Sequence, residues 1–232
     1  MAQKVGNWFR RIALVSVVLL VAAACGGDDS GGEGSSGPEL TVEAVGVALN
    51  GSALEQGTTS AIAAADRVQV DDSGRGVIRF RDNVELELFR GTQSQIDSAE
   101  EGSGGSALVE VTHEAGHARV SLPAEGSNRV TFKTQAAVIT TLDPGTEFIA
   151  CHAPDIVTCH VTVSGAAEVK AQGETVEVRA GEATFVLVGQ PPPEPICASM
   201  DEVEAWLITI RNNENDAALG DLVATWPTEP CG

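Results

Sequence analysis

From Thr41 to Val188 apolar and polar residues alternate with a period of two, in runs rich in Val, Ile, Thr and Phe that are cut by glycine turns. Val84-Glu-Leu-Glu-Leu88 shows the rule: Val84, Leu86 and Leu88 share one face, Glu85 and Glu87 the other. The same reading predicts strands in Val77–Phe80, Leu108–Val111, Val130–Thr134, Val161–Val163, Ala167–Lys170, Thr175–Arg179 and Ala183–Val188. Turns are expected at Asp72–Gly76, Ala115-Gly116, Asp143-Pro-Gly145, Ser164-Gly165, Gln172-Gly173 and Ala180-Gly181. Strands at roughly 8–12-residue spacing predict an all-β fold, an antiparallel sandwich or roll, or an irregular solenoid without a fixed repeat. Glu100–Ser106 is expected to be a surface insertion.

The pattern changes at both ends. Gln190-Pro-Pro-Pro-Glu-Pro195 is a stiff connector, and after it Met200–Asn212 has helical spacing. Ser199 can cap that helix with Glu202 at its third position. Val203, Trp206, Leu207 and Ile210 form its apolar stripe, expected to lay Trp206 on the sheet. At the other end, Lys4, Arg10 and Arg11 precede a 13-residue apolar run, Ile12–Ala24. As a helix that run reaches about 20 Å, short of a ~30 Å hydrocarbon core, so residues 1–24 read as a signal peptide. It ends in Val21-Ala-Ala-Ala-Cys25, which resembles a bacterial lipobox and makes Cys25 the expected lipid attachment site. Two acyl chains suffice for stable anchoring. Residues 26–38, with no apolar side chain before Pro38, form a tether of about 20 Å. The expected division is therefore 1–24 leader, 25–38 lipidated cysteine and linker, 39–190 β domain, and 191–232 connector and helical tail.

Charge narrows the partners. The whole chain carries 14 basic and 33 acidic residues. Without the leader's three basic residues, 11 face 33, a net of −22. Such a field repels nucleic acid and steers basic protein partners. With no Tyr, six Phe and three Trp, base-stacking platforms are hard to build. Beyond Cys25 there are four cysteines, Cys151, Cys159, Cys197 and Cys231, an even number that in an exported chain predicts two disulfides among three pairings. A Cys151–Cys159 bridge across a hairpin and a Cys197–Cys231 bridge closing the tail would contribute about 2.5 and nearly 4 kcal/mol by loop entropy. His152 and His160, each beside a cysteine, are then expected to be exposed.

One motif points to chemistry. His113-Glu-Ala-Gly-His117 satisfies HExxH, which binds zinc when a helix brings both imidazoles to one face and the Glu acts as base. Its flanks alternate like strands, and Gly116 disfavours a helix. A hairpin with Glu114–Gly116 as its loop is expected instead, leaving His113 and His117 as a two-ligand metal candidate with no third ligand. No cofactor and no catalytic residue is expected. A zinc metallopeptidase is the alternative activity, and a purely structural envelope protein the other alternative.

Several segments together resemble the FecR domain. These are Asp66-Arg-Val-Gln-Val70, Gly74-Arg-Gly-Val-Ile-Arg-Phe-Arg-Asp-Asn83 with Val84–Leu88 and Thr92, then Phe132-Lys-Thr-Gln-Ala-Ala-Val138 with Gly145-Thr-Glu-Phe148. Val163–Val169 and Ala180-Gly-Glu182 match the family's closing motifs. Asn83 stands where the family usually has Gly, and Asp143-Pro144 interrupts the approach to Gly145. The resemblance covers residues 41–190. It implies an extracytoplasmic, non-catalytic sensor or scaffold domain that binds an envelope protein partner, from a family in which some members signal to a cytoplasmic sigma factor. With no cytoplasmic segment expected here, the chain would not hold a sigma factor itself. The membrane, reached through lipid on Cys25, is the other expected partner.

Overall fold

The computed structural model describes residues 37–211; within its C-terminal helix the side chains of Glu202, Trp206 and 209–211 lie outside the description. The leader, Cys25, the linker to Ser36 and Cys231 also lie outside it. In chain order the first strands are β1 (Glu39–Ala44), β2 (Val47–Leu49), β3 (Ser52–Leu54), β4 (Thr59–Ala61), β5 (Arg67–Val70), β6 (Arg75–Arg79), β7 (Glu85–Leu88) and β8 (Gln93–Glu101). The long β9 (Ala107–Ser121) follows. Then come β10 (Arg129–Lys133), β11 (Val138–Thr141), β12 (Glu147–Ala153), β13 (Val157–Ser164), β14 (Ala166–Ala171), β15 (Glu174–Arg179), β16 (Glu182–Leu187) and β17 (Ile196–Cys197). One helix, α1 (Met200–Arg211), closes the described chain. The all-β expectation with a short helical tail is met.

The strands form two sheets that share β9. One runs β4-β1-β6-β7-β9-β12-β13-β16-β17, here sheet A. The other, sheet B, runs β3-β2-β5-β8-β9-β10-β11-β14-β15. Every pairing is antiparallel except β9 with β10. After β9 the chain zigzags: hairpins β10–β11 and β14–β15 belong to sheet B, hairpins β12–β13 and β16–β17 to sheet A. The inner faces bury one core around Leu40, Ile78, Ile96, Phe132, Ile139 and Phe148. The Phe132 and Phe148 rings meet edge to face at 5.9 Å.

The pivot of this arrangement corrects an expectation. Glu114–Gly116 is not a hairpin loop; β9 runs straight through it. Residues 107–115 pair with sheet B and residues 116–121 with sheet A. Gly116 has φ +92, and the register slips beside it, where Ser94 faces His113 but Gln93 faces Ala115. This is a β-bulge, and it inverts which residues point inward. Ala107, Val109, Val111 and His113 are buried before it; Ala118 and Val120 are buried after it in the same core. A left-handed glycine suits both a hairpin loop and a bulge, so the local signal alone did not separate them. Glu100–Ser106 is likewise no insertion: it is the β8–β9 turn, closed by the Gly102 N–H donating to the Ser106 carbonyl at 2.8 Å.

On the outer face of sheet A, α1 buries Val203 and Leu207 against Phe89, Ile149, Val161 and Ala183. The sheet's far edge is β16, paired with β17 at Glu182 and Ala183 only. Beyond that the proline run passes alongside, with Thr184 Oγ1 donating to the Pro193 carbonyl at 3.2 Å and Pro192 buried. Prolines offer no N–H there, which blunts the edge against strand addition. Trp206, expected on the sheet, is among the side chains outside the description.

A Cβ at Gly116 would lie 2.5 Å from the Thr92 Cα and 2.6 Å from the Gly91 carbonyl oxygen, in a backbone region that disfavours side chains. Gly116→Ala is therefore expected to destabilise the fold by about 3 kcal/mol or more, read as a lowered denaturant midpoint. An unchanged midpoint would refute the bulge as the pivot.

Candidate functional site

The four histidines of the chain all lie on β9, β12 and β13, and all are buried. His113 faces the inner core, its ring 4.8 Å from that of Phe132. Its Nε2 reaches the Gly116 carbonyl at 3.1 Å, and a carbonyl only accepts, so Nε2 carries the proton. Its Nδ1 then accepts from Ser94 Oγ at 2.8 Å. Both nitrogens are engaged. His160 packs its ring 5.0 Å from Phe148. Thr162 Oγ1 donates to the Val178 carbonyl at 3.0 Å, so it accepts from His160 Nε2–H at 2.9 Å. His160 Nδ1 is buried and has no hydrogen-bond partner among the described residues. His152 donates from Nδ1 to the Val157 carbonyl at 3.2 Å, with Thr158 Oγ1 also at 3.0 Å.

Burial outweighs the opposing contacts and holds these rings neutral. Desolvation lowers His113 and His160 from the usual 6.5 to about 3 each, the Gly116 hydrogen bond only partly opposing it at His113. Burial lowers His152 as well. The expectation that His152 and His160 are exposed is thus corrected. β12 and β13 are covered on both faces, by the core inside and by α1 and its neighbours outside.

The HExxH residues separate. His113 points into the core. Glu114 faces outward from sheet B and pairs with Arg67 at 2.9 Å. His117, past the bulge, stands on the outer face of sheet A directly opposite Cys151. On an unbroken strand residues 113 and 117 would share a face; the bulge sends them to opposite sides. The expected two-histidine pair on one face is therefore not formed. Among the described residues no group of three or more His, Cys, Asp or Glu is placed to hold a metal ion.

On that outer face the structure joins Cys151 to Cys159 as a disulfide between directly opposed residues of β12 and β13, Cα atoms 5.0 Å apart. Cys197 in β17 is also disulfide-bonded. The Cys151–Cys159 bridge floors a groove of about 390 Å³ flanked by His117, Phe185, Ile156 and Leu187. Ile156 is 62% exposed and Leu187 54%, large values for branched apolar side chains. This apolar concavity, in the size range of ligand-binding clefts, is the candidate functional site. Sequence reasoning missed it because its lining comes from three separate strand pairings. A signal was present in Phe148-Ile-Ala-Cys-His152 and Thr158-Cys-His-Val161, near-continuous apolar runs that mark strands buried on both faces.

No family model and no curated protein matches this chain. Two crystal structures of a protein from Parabacteroides distasonis ATCC 8503, provisionally assigned as an anti-sigma factor, resemble it. Each shares 18% identity over 61% of this chain, with a TM-score of 0.49. The matched region spans 64% and 63% of those chains, under two thirds of their length.

The buried histidines fix a pH response. Their folded pKa of about 3 lies below the unfolded 6.5, so between those values the unfolded chain binds two more protons than the folded one. Their full contribution is present above pH 6.5 and is lost as the pH falls toward 3. Stability at pH 5 is expected to be about 4 kcal/mol lower than at pH 8, measured by denaturant titration. Equal stability at the two values would show that these rings are not buried.

Proposed function

We propose that this chain is an exported, lipid-anchored module of the cell envelope that acts by binding and not by catalysis. The observation that carries the reading is the fate of the HExxH residues: His113 has both nitrogens hydrogen-bonded in the core, Glu114 is paired with Arg67, and His117 faces the opposite side. What the fold leaves open is an apolar groove beside a disulfide, a surface suited to recognition. The leader ending at Cys25, the acidic linker and the exported-style cysteine count support the tethered placement. The FecR-like segments support a sensor or scaffold role of the same kind.

Electrostatics favour a basic protein partner. Arg67, Arg79, Arg119, Lys133 and Arg179 each face a carboxylate within the domain, so the surplus acidic groups set the outward field. The tether holds that field in a thin shell over the bilayer, raising its effective concentration for envelope partners.

Labelled palmitate is expected to enter the wild-type chain and leave it in the membrane fraction. Cys25→Ser is expected to incorporate none and to move to the soluble fraction. A soluble, unlabelled wild-type protein would overturn the tethered reading.

A further inference from the structure

We propose that Asn50 is a self-modification site: when the β2–β3 hairpin opens, its carboxamide is lost to the backbone nitrogen of Gly51, and the acidic product holds that edge of sheet B open. Asn50-Gly51 is the one Asn-Gly step in the chain, and both residues are exposed at the two-residue turn between Leu49 and Ser52. Both have positive φ, +51 and +77, which such a turn demands and which Asn-Gly adopts most readily. A Cβ at Gly51 would meet nothing within 4 Å, so no neighbouring group crowds the peptide nitrogen that follows Asn50.

In the closed hairpin the carboxamide is a clasp. Its Nδ2 donates to Asp66 Oδ1 at 2.7 Å, and its Oδ1 accepts from the Arg67 N–H at 2.9 Å. The Asn50 N–H also donates to the Arg67 carbonyl at 2.8 Å, so the turn is bound to the start of β5 by hydrogen bonds from both side chain and backbone. Asp66 is fixed in turn, its Oδ2 accepting from the Ala63 N–H at 2.8 Å. With both ends of the carboxamide held, Cγ does not swing onto the Gly51 nitrogen until the hairpin lets go. That opening is local. Strand β3 spans three residues, pairs with β2 alone among the described residues, and keeps Ser52 and Ala53 exposed.

Once free, the deprotonated Gly51 nitrogen attacks Asn50 Cγ. A C–N bond forms, the Cγ–Nδ2 bond breaks, and the Gly51 proton passes through solvent to the leaving nitrogen, which departs as ammonia. Water then opens the five-membered imide. Addition at the side-chain carbonyl leaves aspartate; addition at the main-chain carbonyl leaves isoaspartate, with the backbone rerouted through Cβ and Cγ. The net exchange is water in and ammonia out, with no oxidant or reductant. Aspartate puts an ionised oxygen where the Nδ2 donor stood, so the hydrogen bond to Asp66 becomes a contact between two carboxylates. Isoaspartate adds a methylene and spoils the two-residue turn. Either product opposes reclosure, and with it the packing of Val47, Leu49 and Leu54 on the core.

The test incubates the full chain in mildly alkaline buffer and maps it by mass spectrometry, with isoaspartate located by methyltransferase labelling. Asn50 is expected to convert to both acids, while Asn83 and Asn128, followed by Val84 and Arg129, keep their amides. Because opening is fast beside the chemistry, the rate follows the open fraction of the hairpin. Asp66→Ala is therefore expected to raise it about tenfold or more, the factor carried by one hydrogen bond to a charged group. In Asn50→Asp, hydrogen exchange across residues 47–54 is expected to quicken by about the same factor, for loss of the same bond. Exchange in β12 and β13 and the Cys151–Cys159 peptide should be unchanged in both variants, which shows that each has folded. An Asn50 that keeps its amide in the wild-type chain, conversion no faster in Asp66→Ala, or unaltered exchange at 47–54 in Asn50→Asp overturns the proposal.

Discussion

Two packed sheets can share one strand only where that strand bends or bulges to pass from one to the other, and β9 does so with a bulge at Gly116. The bulge there lets Ala107 to His113 fill the core as part of sheet B and Ala118 and Val120 fill it as part of sheet A. No other residue type satisfies the site. The φ of +92 asks for glycine, and so does the approach of the Gly91 and Thr92 backbone, which leaves no room for a Cβ. The backbone here is also tied down from outside β9. Thr92 Oγ1 donates to the His117 carbonyl at 2.8 Å, and the Phe89 N–H donates to the same oxygen at 3.1 Å. The strand crossing is thus held by β7, β8 and β12 together, and the two halves of the sandwich are built outward from it.

The same inversion decides the chemistry. A metallopeptidase reading needs His113, Glu114 and His117 to converge, and on a helix their spacing would achieve it. On this strand they address three environments: the core, the solvent face of sheet B and the outer face of sheet A. His113 is consumed in placing the bulge, since its Nε2 proton goes to the Gly116 carbonyl itself. A residue that looks like a ligand in the sequence is here a clamp on the strand crossing. His160 plays a related part, its Nε2 proton directed through Thr162 to the Val178 carbonyl and so linking sheet A to sheet B.

Much of the architecture was legible in the alternation of residues. Val84–Leu88, Val130–Thr134 and Thr175–Arg179 all lie on or overlap strands, because one buried face and one polar face leave a period-two record. Three things were not legible. The β9 crossing was hidden because a left-handed glycine between alternating runs reads as a hairpin loop just as well as a bulge. The burial of His152 and His160 was hidden because adjacent residues on a strand face opposite ways, and one of two faces is ordinarily wet. Here both faces are covered: His152 and His160 lie on the inner face with Ala150 and Phe148, while the cysteine face is covered in part by α1, some 40 positions downstream. The groove was hidden for the same reason: His117, Cys151 and Phe185 become neighbours only through the β9–β12 and β12–β13–β16 registers.

Placement of charge and apolar surface then separates two ends of one sheet. Around Glu39 the outer face carries an ion-pair ladder, Arg119 bridging Glu147 at 2.8 Å and the buried Glu87 at 3.5 Å, with Arg75 also at 3.5 Å from Glu87. Further along, the face turns apolar under α1 and stays apolar to the rim at Leu187. Burying Glu87 is tolerable because two guanidiniums, of Arg75 and Arg119, flank it. That asymmetry gives the outer face of sheet A one polar end, by Glu39 and Glu147, and one apolar end, at Leu187.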